Sequence, residues 1–169
     1  MTLRAPSAED GPAVTRLINR CPPLDANSPY CHLLLCSDFA ATCVVAERSG
    51  EVCGWLSAYR PPSSPDRIFV WQVAVDPGAR GEGLGARMLD ALLARDAVRD
   101  VHFLTATVTA DNRASWALFG GLARRRGAPL NKTVRFDREQ HFAGASKTEW
   151  EAVIGPLNTD FPKQTQEVA

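Results

Sequence analysis

Charge of one sign is what this sequence lacks most plainly. Its 19 lysines and arginines balance 19 aspartates and glutamates. A basic face that would grip nucleic acid or an anionic membrane is therefore not expected, and neither is predicted as a partner. The densest basic run, Arg124–Arg126, reads as a solvated helix C-terminus, where cations are favoured. No stretch approaches the ~20 apolar residues of a membrane span. The opening "MTLRAPSAED" holds no apolar signal core, so a cytoplasmic protein is expected. C-x-x-C is absent. The cysteines at 21, 31, 36, 43 and 53 are odd in number, and the histidines at 32, 102 and 141 stand far apart. That pattern excludes the usual zinc spacings and predicts no metal; it fits free thiols that fill space in a reducing compartment. No internal repeat is present.

What is there is a chain of 169 residues with 45% hydrophobic content, enough for the core of one domain. Residues 1–157 are read as that domain and 158–169 as a flexible C-terminal tail. "TLRAP" suits a short strand. Ser7 then caps a helix, with Asp10 at its third position and Val14, Leu17, Ile18 and Cys21 at helical spacing. "PPLDANSPY" breaks that helix, and "CHLLLCSDF" suits a second. "ATCVVAERSGEVCGWLSAYRPP" reads as a hairpin turning at Gly50. "RIFVWQVAVD" reads as a central strand ended by Pro77. Alternation along it predicts Trp71 and Val73 on one face and Gln72 on the other. Leu84, Met88, Leu89 and Leu92 stripe the following helix. "VHFLTATVT" is a further strand, and "DNRASWALFGGLARRRG" a helix with Ala114, Leu118 and Leu122 inward. "NKTVRFD" and "TEWEAVI" suit late strands. Strands alternating with helices, plus one hairpin, predict a mixed α/β sheet.

The loop between the central strand and the next helix is stripped of side chains. Gly81, Gly83 and Gly85 follow Arg80 there. N–H groups at a helix N-terminus carry partial positive charge and attract phosphate, and glycine lets the backbone approach it. Arg80 adds a fixed cation. No Lys-Ser/Thr follows, which excludes an NTPase P-loop, and the spacing is not the dinucleotide G-x-G-x-x-G. Two uses remain open at this level: an anion cradle, or close packing of helix on strand.

"VAVDPGARGEGLGARML" resembles the acetyl-CoA signature of the GNAT superfamily of N-acyltransferases, with Arg80, Gly83 and Gly85 on its [Q/R]-x-x-G-x-[G/A] pattern. "DNRASWALFGGLA" resembles the second GNAT motif. The resemblance implies a GNAT-like α/β fold, with the mixed central sheet splayed between two adjacent strands and flanked by helices. It implies acetyl-CoA as cosubstrate. Pantetheine would lie along Val73 and Val75, and the pyrophosphate would rest on N–H groups of Arg80, Gly81, Gly83, Leu84, Gly85 and Ala86. Asn112 would contact the pantetheine or the thiol. One position departs: many members carry a tyrosine as general acid where this chain has Phe119, which has no proton to give. A thiol of pKa ~8.5 can leave unaided, or water or Tyr30 can protonate it.

Acetyl transfer needs a neutral amine, hence a base, and a backbone donor for the developing oxyanion, for which Val73 N–H is the candidate. Outside the cofactor motifs, polar candidates cluster at Asp25, Asn27, Ser28 and Tyr30 in the loop after the first helix. Trp71 on the central strand and His141 and Glu149 near the end join them. Each also has a plain structural use, as turn residues, core or solvated loop. These segments resemble one GNAT family in particular, the diaminobutyrate acetyltransferases of ectoine synthesis. The stretches are Cys21–Tyr30, "FVWQVAVDPGARGEGL" and "FDREQHFAGASKTE". That resemblance implies acetylation of the 4-amino group of L-2,4-diaminobutyrate and a homodimer. Asp25 would hold an ammonium. Asn27 and Tyr30 would fix the amino-acid head, and Trp71 would wall the pocket. Glu149 would act as base, with a pKa raised by burial or a like charge. The family's late "HFxGxHDxE" differs here, because Ser146 and Lys147 replace its His and Asp; a pairing of Lys147 with a nearby carboxylate is one expectation. Two other readings stand beside this one: a GNAT enzyme for another amine or a protein N-terminus, and an acyl-CoA-binding module without turnover.

Overall fold

In the computed structural model, residues 1–157 are described; the tail expected at 158–169 lies outside the described residues. The elements in chain order are β1 (Thr2–Arg4), α1 (Gly11–Asn19), α2 (Pro29–Ser37), β2 (Val44–Arg48), β3 (Glu51–Tyr59), β4 (Arg67–Val75), α3 (Leu84–Leu93), β5 (Phe103–Thr109), α4 (Arg113–Arg126), β6 (Leu130–Phe136), α5 (Arg138–Phe142) and β7 (Glu149–Ile154). They form one seven-stranded sheet in the order β1-β2-β3-β4-β5-β7-β6.

The apolar stripes read from the sequence do what their spacing predicts. Val14, Leu17 and Ile18 of α1 are buried. They pack with Leu35, Cys36, Val45, Trp55 and Ala74 on one face of the sheet. Leu84, Met88, Leu89 and Leu92 of α3 are buried on the other face, with Phe119 and Leu122 of α4. The stripe expected on α4 holds at Leu122, which is buried, and at Leu118, which packs against the core, but not at Ala114. Phe119, Leu122 and Ala123 point inward, while Ala114 is exposed. The bulky Phe119 adds to the core beside Leu118 and Leu122, while the small Ala114 in the first turn stays outside it.

All strand pairs are antiparallel except β4 with β5. That parallel pair is short, running only from Arg67 opposite Phe103 to Val70 opposite Ala106. Beyond it, Trp71–Val75 and Thr107–Thr109 have no partner across the gap. Each strand stays held from its other side: β3 pairs with β4 as far as Val75, and β7 pairs with β5 as far as Thr109. The sheet therefore forks in its middle with both prongs rigid, the splay that the GNAT resemblance implies.

A bulge sits at the root of the fork. Ser57 of β3 lies opposite Gln72 and Ala58 opposite Val70, so Trp71 is the extra residue. A bulge breaks strict alternation. Trp71 turns toward Leu35 and Phe39 at α2. Gln72 also turns to the helical side of α1 and α2, where its Nε2 donates to the Asp25 carbonyl at 2.8 Å. Val73 packs instead against the α3 face. The expected grouping of Trp71 with Val73, and of Gln72 apart, is thereby corrected.

Candidate active site

The glycine loop leads into a helix whose N-terminus is bare. Gly83 is the N-cap of α3 with φ 70, and no side chain caps it. The first helical bond runs from Arg87 N–H to the Gly83 carbonyl at 3.1 Å. The N–H groups of Leu84, Gly85 and Ala86 therefore have no helical acceptor. Gly81 and Gly83 have φ of +83 and +70, and a Cβ on either would meet nothing within 4 Å. Their bareness serves the left-handed turn and leaves open space above it. Gly85 differs, since a Cβ there would make ordinary contacts with Leu118 at 3.4 Å and Val73 at 3.8 Å. Packing within the chain thus forbids no side chain at these three positions; the left-handed turn explains Gly81 and Gly83, and the space above the loop is open to a ligand. Arg80 is tied back by its Nε to the Val75 carbonyl at 3.2 Å, which fixes its cation at the loop. Glu82, the one acid inside the loop, is drawn off by Arg48.

The fork continues the cradle. Gln72 N–H bonds to Ser57 Oγ and Asp76 N–H to the Cys53 carbonyl, both toward β3. Backbone groups alternate sides along a strand. The N–H groups of Val73 and Val75 therefore point into the gap that β5 has left. The Val75 carbonyl is already occupied by Arg80 and by the Cys21 thiol at 3.3 Å. An extended amide-bearing arm with a diphosphate at one end matches this row of donors, and coenzyme A has that chemistry. Asn112 is committed in part to its own helix: its Oδ1 accepts from Ser115 N–H at 3.0 Å as the cap of α4.

On the α1–α2 side of the fork lies a cavity of about 420 Å³, lined by Leu35, Phe39, Tyr59, Phe69, Trp71, Thr107, Arg135 and Phe136. Of the expected residues only Trp71 lines it directly; this residue is 45% exposed. Glu149 begins β7 opposite Thr109, the last residue of the β5 prong. It is half-buried. Burial pushes its carboxyl above the ordinary range, and the Asp25 carboxylate adds to the rise. Glu149 and Asp25, far apart in sequence, are thus near enough for the Asp25 charge to act on the Glu149 carboxyl.

The loop that carries Asp25 is pinned by Gln72, whose importance no local signal in the sequence announces. Asn27 has a left-handed φ of 47, and its Nδ2 is buried without a partner. A buried donor of that kind is expensive unless something pairs with it. Ser28 serves α2 as its cap, accepting from Cys31 N–H at 3.1 Å. Tyr30 stands 68% exposed; among the described residues its hydroxyl makes no hydrogen bond. His141 is turned back to its own helix, with Nδ1 accepting from Asp137 N–H at 2.9 Å. Lys147 pairs with Asp111 at 2.5 Å, the carboxylate pairing anticipated for it. Phe119 is buried in the main core and offers no group to the gap. Arg135, Thr107 and Phe69 are lining residues that sequence reasoning missed, because their strands' order in the sheet is not local information. Among the described residues no three His, Cys, Asp or Glu side chains gather as metal ligands, and no helix is long and apolar enough to cross a membrane.

A forked mixed sheet, a bare helix N-terminus at the fork and an acid beside it define an acyl-CoA-dependent transferase. The sequence profile of the acetyltransferase (GNAT) family matches residues 12–121, and the chain belongs to that family. Within it, the L-2,4-diaminobutyric acid acetyltransferase of Methylotuvimicrobium alcaliphilum is 49% identical over 157 residues, covering 93% of this chain and 91% of that protein. The enzyme of the same name from Bordetella parapertussis is 51% identical over 157 residues, covering 92% and 84%. Among solved structures, the diaminobutyrate acetyltransferase EctA from Paenibacillus lautus, in complex with L-2,4-diaminobutyric acid and coenzyme A, superposes with a TM-score of 0.89. It is 40% identical, with 95% of this chain and 98% of that one covered.

Proposed function

We propose that the chain transfers the acetyl group of acetyl-CoA to the 4-amino group of L-2,4-diaminobutyrate, as a step in ectoine synthesis. The observation that carries the reading is the half-buried Glu149, raised by burial and by Asp25, at the tip of the β5 prong. The high identity to diaminobutyrate acetyltransferases supports the choice of substrate.

Coenzyme A supplies an activated acetyl thioester. The chain's own residues do the rest. The N–H groups of residues 81–86 and the Arg80 guanidinium take the diphosphate, and Val73 and Val75 align the arm. Asn112, through the amide nitrogen its cap leaves over, contacts the arm near the thiol. Asp25 attracts the terminal ammonium of the diamino acid. Asn27, through its unpaired Nδ2, and Tyr30 hold the amino-acid head; Ser28 keeps the loop in shape. Trp71 walls the cavity against water.

Glu149 removes the proton that makes the amine inert. A carboxylate at its ordinary pKa is a weak base for an ammonium of pKa near ~10, so the rise narrows a gap it does not close. Attack by the freed nitrogen places negative charge on the acetyl oxygen, where Val73 N–H is the donor. The adduct collapses with cleavage of the carbon–sulfur bond; because Phe119 is in the core, the proton the new amide nitrogen gives up reaches the departing sulfur through Tyr30 at the mouth or through water. We place the enzyme in the cytoplasm, and assign it a homodimer in line with the family resemblance.

Following CoA thiol release by purified protein over a panel of amines tests the assignment. Release with diaminobutyrate and little with lysine, polyamines or peptides is the expected result. Release with another amine alone transfers the assignment to it, and binding of acetyl-CoA without release to any amine replaces the enzyme by a carrier module.

A further inference from the structure

The cavity on the α1–α2 side contains one strong cation that the chemistry above does not use. Arg135 stands near the end of β6, at a second bulge: Val134 pairs with Trp150 and Phe136 with Glu149, leaving Arg135 as the extra residue. Its side chain consequently turns into the cavity beside Phe136. Two rings fix its plane, Phe69 at 5.1 Å and Phe136 at 5.3 Å from the guanidinium carbon to the ring centre. Its Nη1 donates to Glu151 Oε1 at 2.8 Å. Among the described residues that is its only hydrogen bond, so Nη2 and Nε keep donors to offer. A guanidinium held by one carboxylate and two aromatic faces is preorganised to take a second carboxylate.

Glu151 and Glu149 lie on the same face of β7, two residues apart, while Ala152 and Ile154 on the other face are buried. Two residues of strand span about 7 Å. Phe136 of the cavity wall pairs with Glu149, so the acids Glu149 and Asp25 stand beside the cavity while Arg135 stands in its wall. In diaminobutyrate the carboxyl carbon and the terminal nitrogen are four bonds apart, about 5 Å when extended. A ligand with a carboxylate at one end and an ammonium at the other meets an opposite charge at each, Arg135 at the first and Glu149 with Asp25 at the second.

Resting on the proposed function for the reaction itself, we infer that Arg135 binds the α-carboxylate of the substrate and so makes the enzyme select a diamino acid over a plain diamine. Glu151 is a positioning residue that holds the guanidinium at the correct angle. The carboxylate anchors one end, and the 4-amino group is thereby presented to Glu149 rather than the 2-amino group.

The test compares L-2,4-diaminobutyrate with 1,3-diaminopropane, which is the same diamine without the carboxylate. Rates of CoA release are measured for wild type, Arg135→Met, Arg135→Lys and Glu151→Gln. A site built to pair a charged group rejects an analogue that lacks it, so wild type should prefer diaminobutyrate by about 10- to 100-fold in kcat/KM. Arg135→Met should raise KM for diaminobutyrate by a similar factor with kcat within about threefold, and the preference should collapse. Arg135→Lys should keep part of it, and Glu151→Gln should lose part, with KM for acetyl-CoA constant throughout. A wild type indifferent to the carboxylate overturns the inference without any variant. So does an Arg135→Met enzyme that keeps the preference, or one that loses both amines in parallel while still binding acetyl-CoA. A wild type that acetylates neither amine removes the proposed function, and this inference with it; the other failures leave that function standing.

Discussion

At the scale of single residues, the chemistry turns on how Glu149 is surrounded. Burial raises its carboxyl first, and the Asp25 carboxylate raises it further. Only the ionised form can accept a proton, so activity should fall as the pH drops through the raised value. The acid limb of kcat/KM for diaminobutyrate should accordingly lie above the ordinary glutamate value of ~4.3. Glu149→Gln should lower kcat by about 10²- to 10⁴-fold and abolish that limb, while calorimetry shows acetyl-CoA affinity within about twofold of wild type. An active variant with the same limb removes Glu149 from the base role. Asp25→Asn tests the second cause. Deleting a like charge lowers Glu149, so the limb should move toward lower pH, and KM for the amine should rise because an ammonium partner is gone. A limb that stays in place would show that the two carboxylates do not interact. The remaining reactive side chains are quiet by comparison: burial pushes the Cys36 thiol up to about 12 and that of Cys43 to about 11, as space-filling thiols should behave.

At the scale of elements, the decisive junction is the entry to α3. Gly83 has φ 70, where a β-branched residue is strained by more than the roughly 1–2 kcal/mol of an ordinary side chain. Gly83→Val should therefore push the loop to another conformation and turn the first N–H groups away. We expect acetyl-CoA affinity to drop by at least about 100-fold with the circular dichroism spectrum of the fold preserved; an affinity kept near wild type defeats the cradle. This junction was legible in the sequence, because glycines between a strand and a helix, an arginine beside them and an apolar stripe beyond are all local signals. Other features were not. Trp71 and Gln72 were placed on opposite faces by alternation, and a bulge set by pairing with Ser57 and Ala58 reversed that. Helical spacing reads Leu118 and Leu122 correctly but also predicts Ala114 inward, and that residue lies exposed in the first turn of α4. Arg135 gave no signal at all, since its turn into the cavity depends on a bulge against β7.

At the scale of the whole molecule, the site exists because β7 inserts between β5 and β6, bringing Glu149 beside a strand made some forty residues earlier. The mixed sheet could be read from alternating strands and helices; that insertion could not, because strand order is a long-range choice. The opposite edge is secured by one arginine. Arg4 of β1 holds both oxygens of Asp10, at 2.7 and 2.8 Å, and Glu47 of β2 at 2.9 Å. It thereby clamps the edge strand, the turn into α1 and the second strand together. Asp10 is only 8% exposed. Hydrogen bonds from Arg4 hold its carboxyl below the ordinary range, against burial that would raise it. A carboxyl depressed in the folded state stabilises the fold above its unfolded value of ~3.9, and that contribution disappears as the pH falls through the lower folded value. Asp10→Asn should then cost about 2 kcal/mol at pH 7, read as a lower urea midpoint at unchanged slope. The gap between variant and wild type should narrow as the pH is taken below ~3.9, where Asp10 of the unfolded chain gains a proton first, and close once the pH passes the lower folded value. A gap of the same size at pH 7 and pH 3 would mean that Asp10 acts by shape rather than by charge, and the clamp at this edge would have to be reassigned to packing.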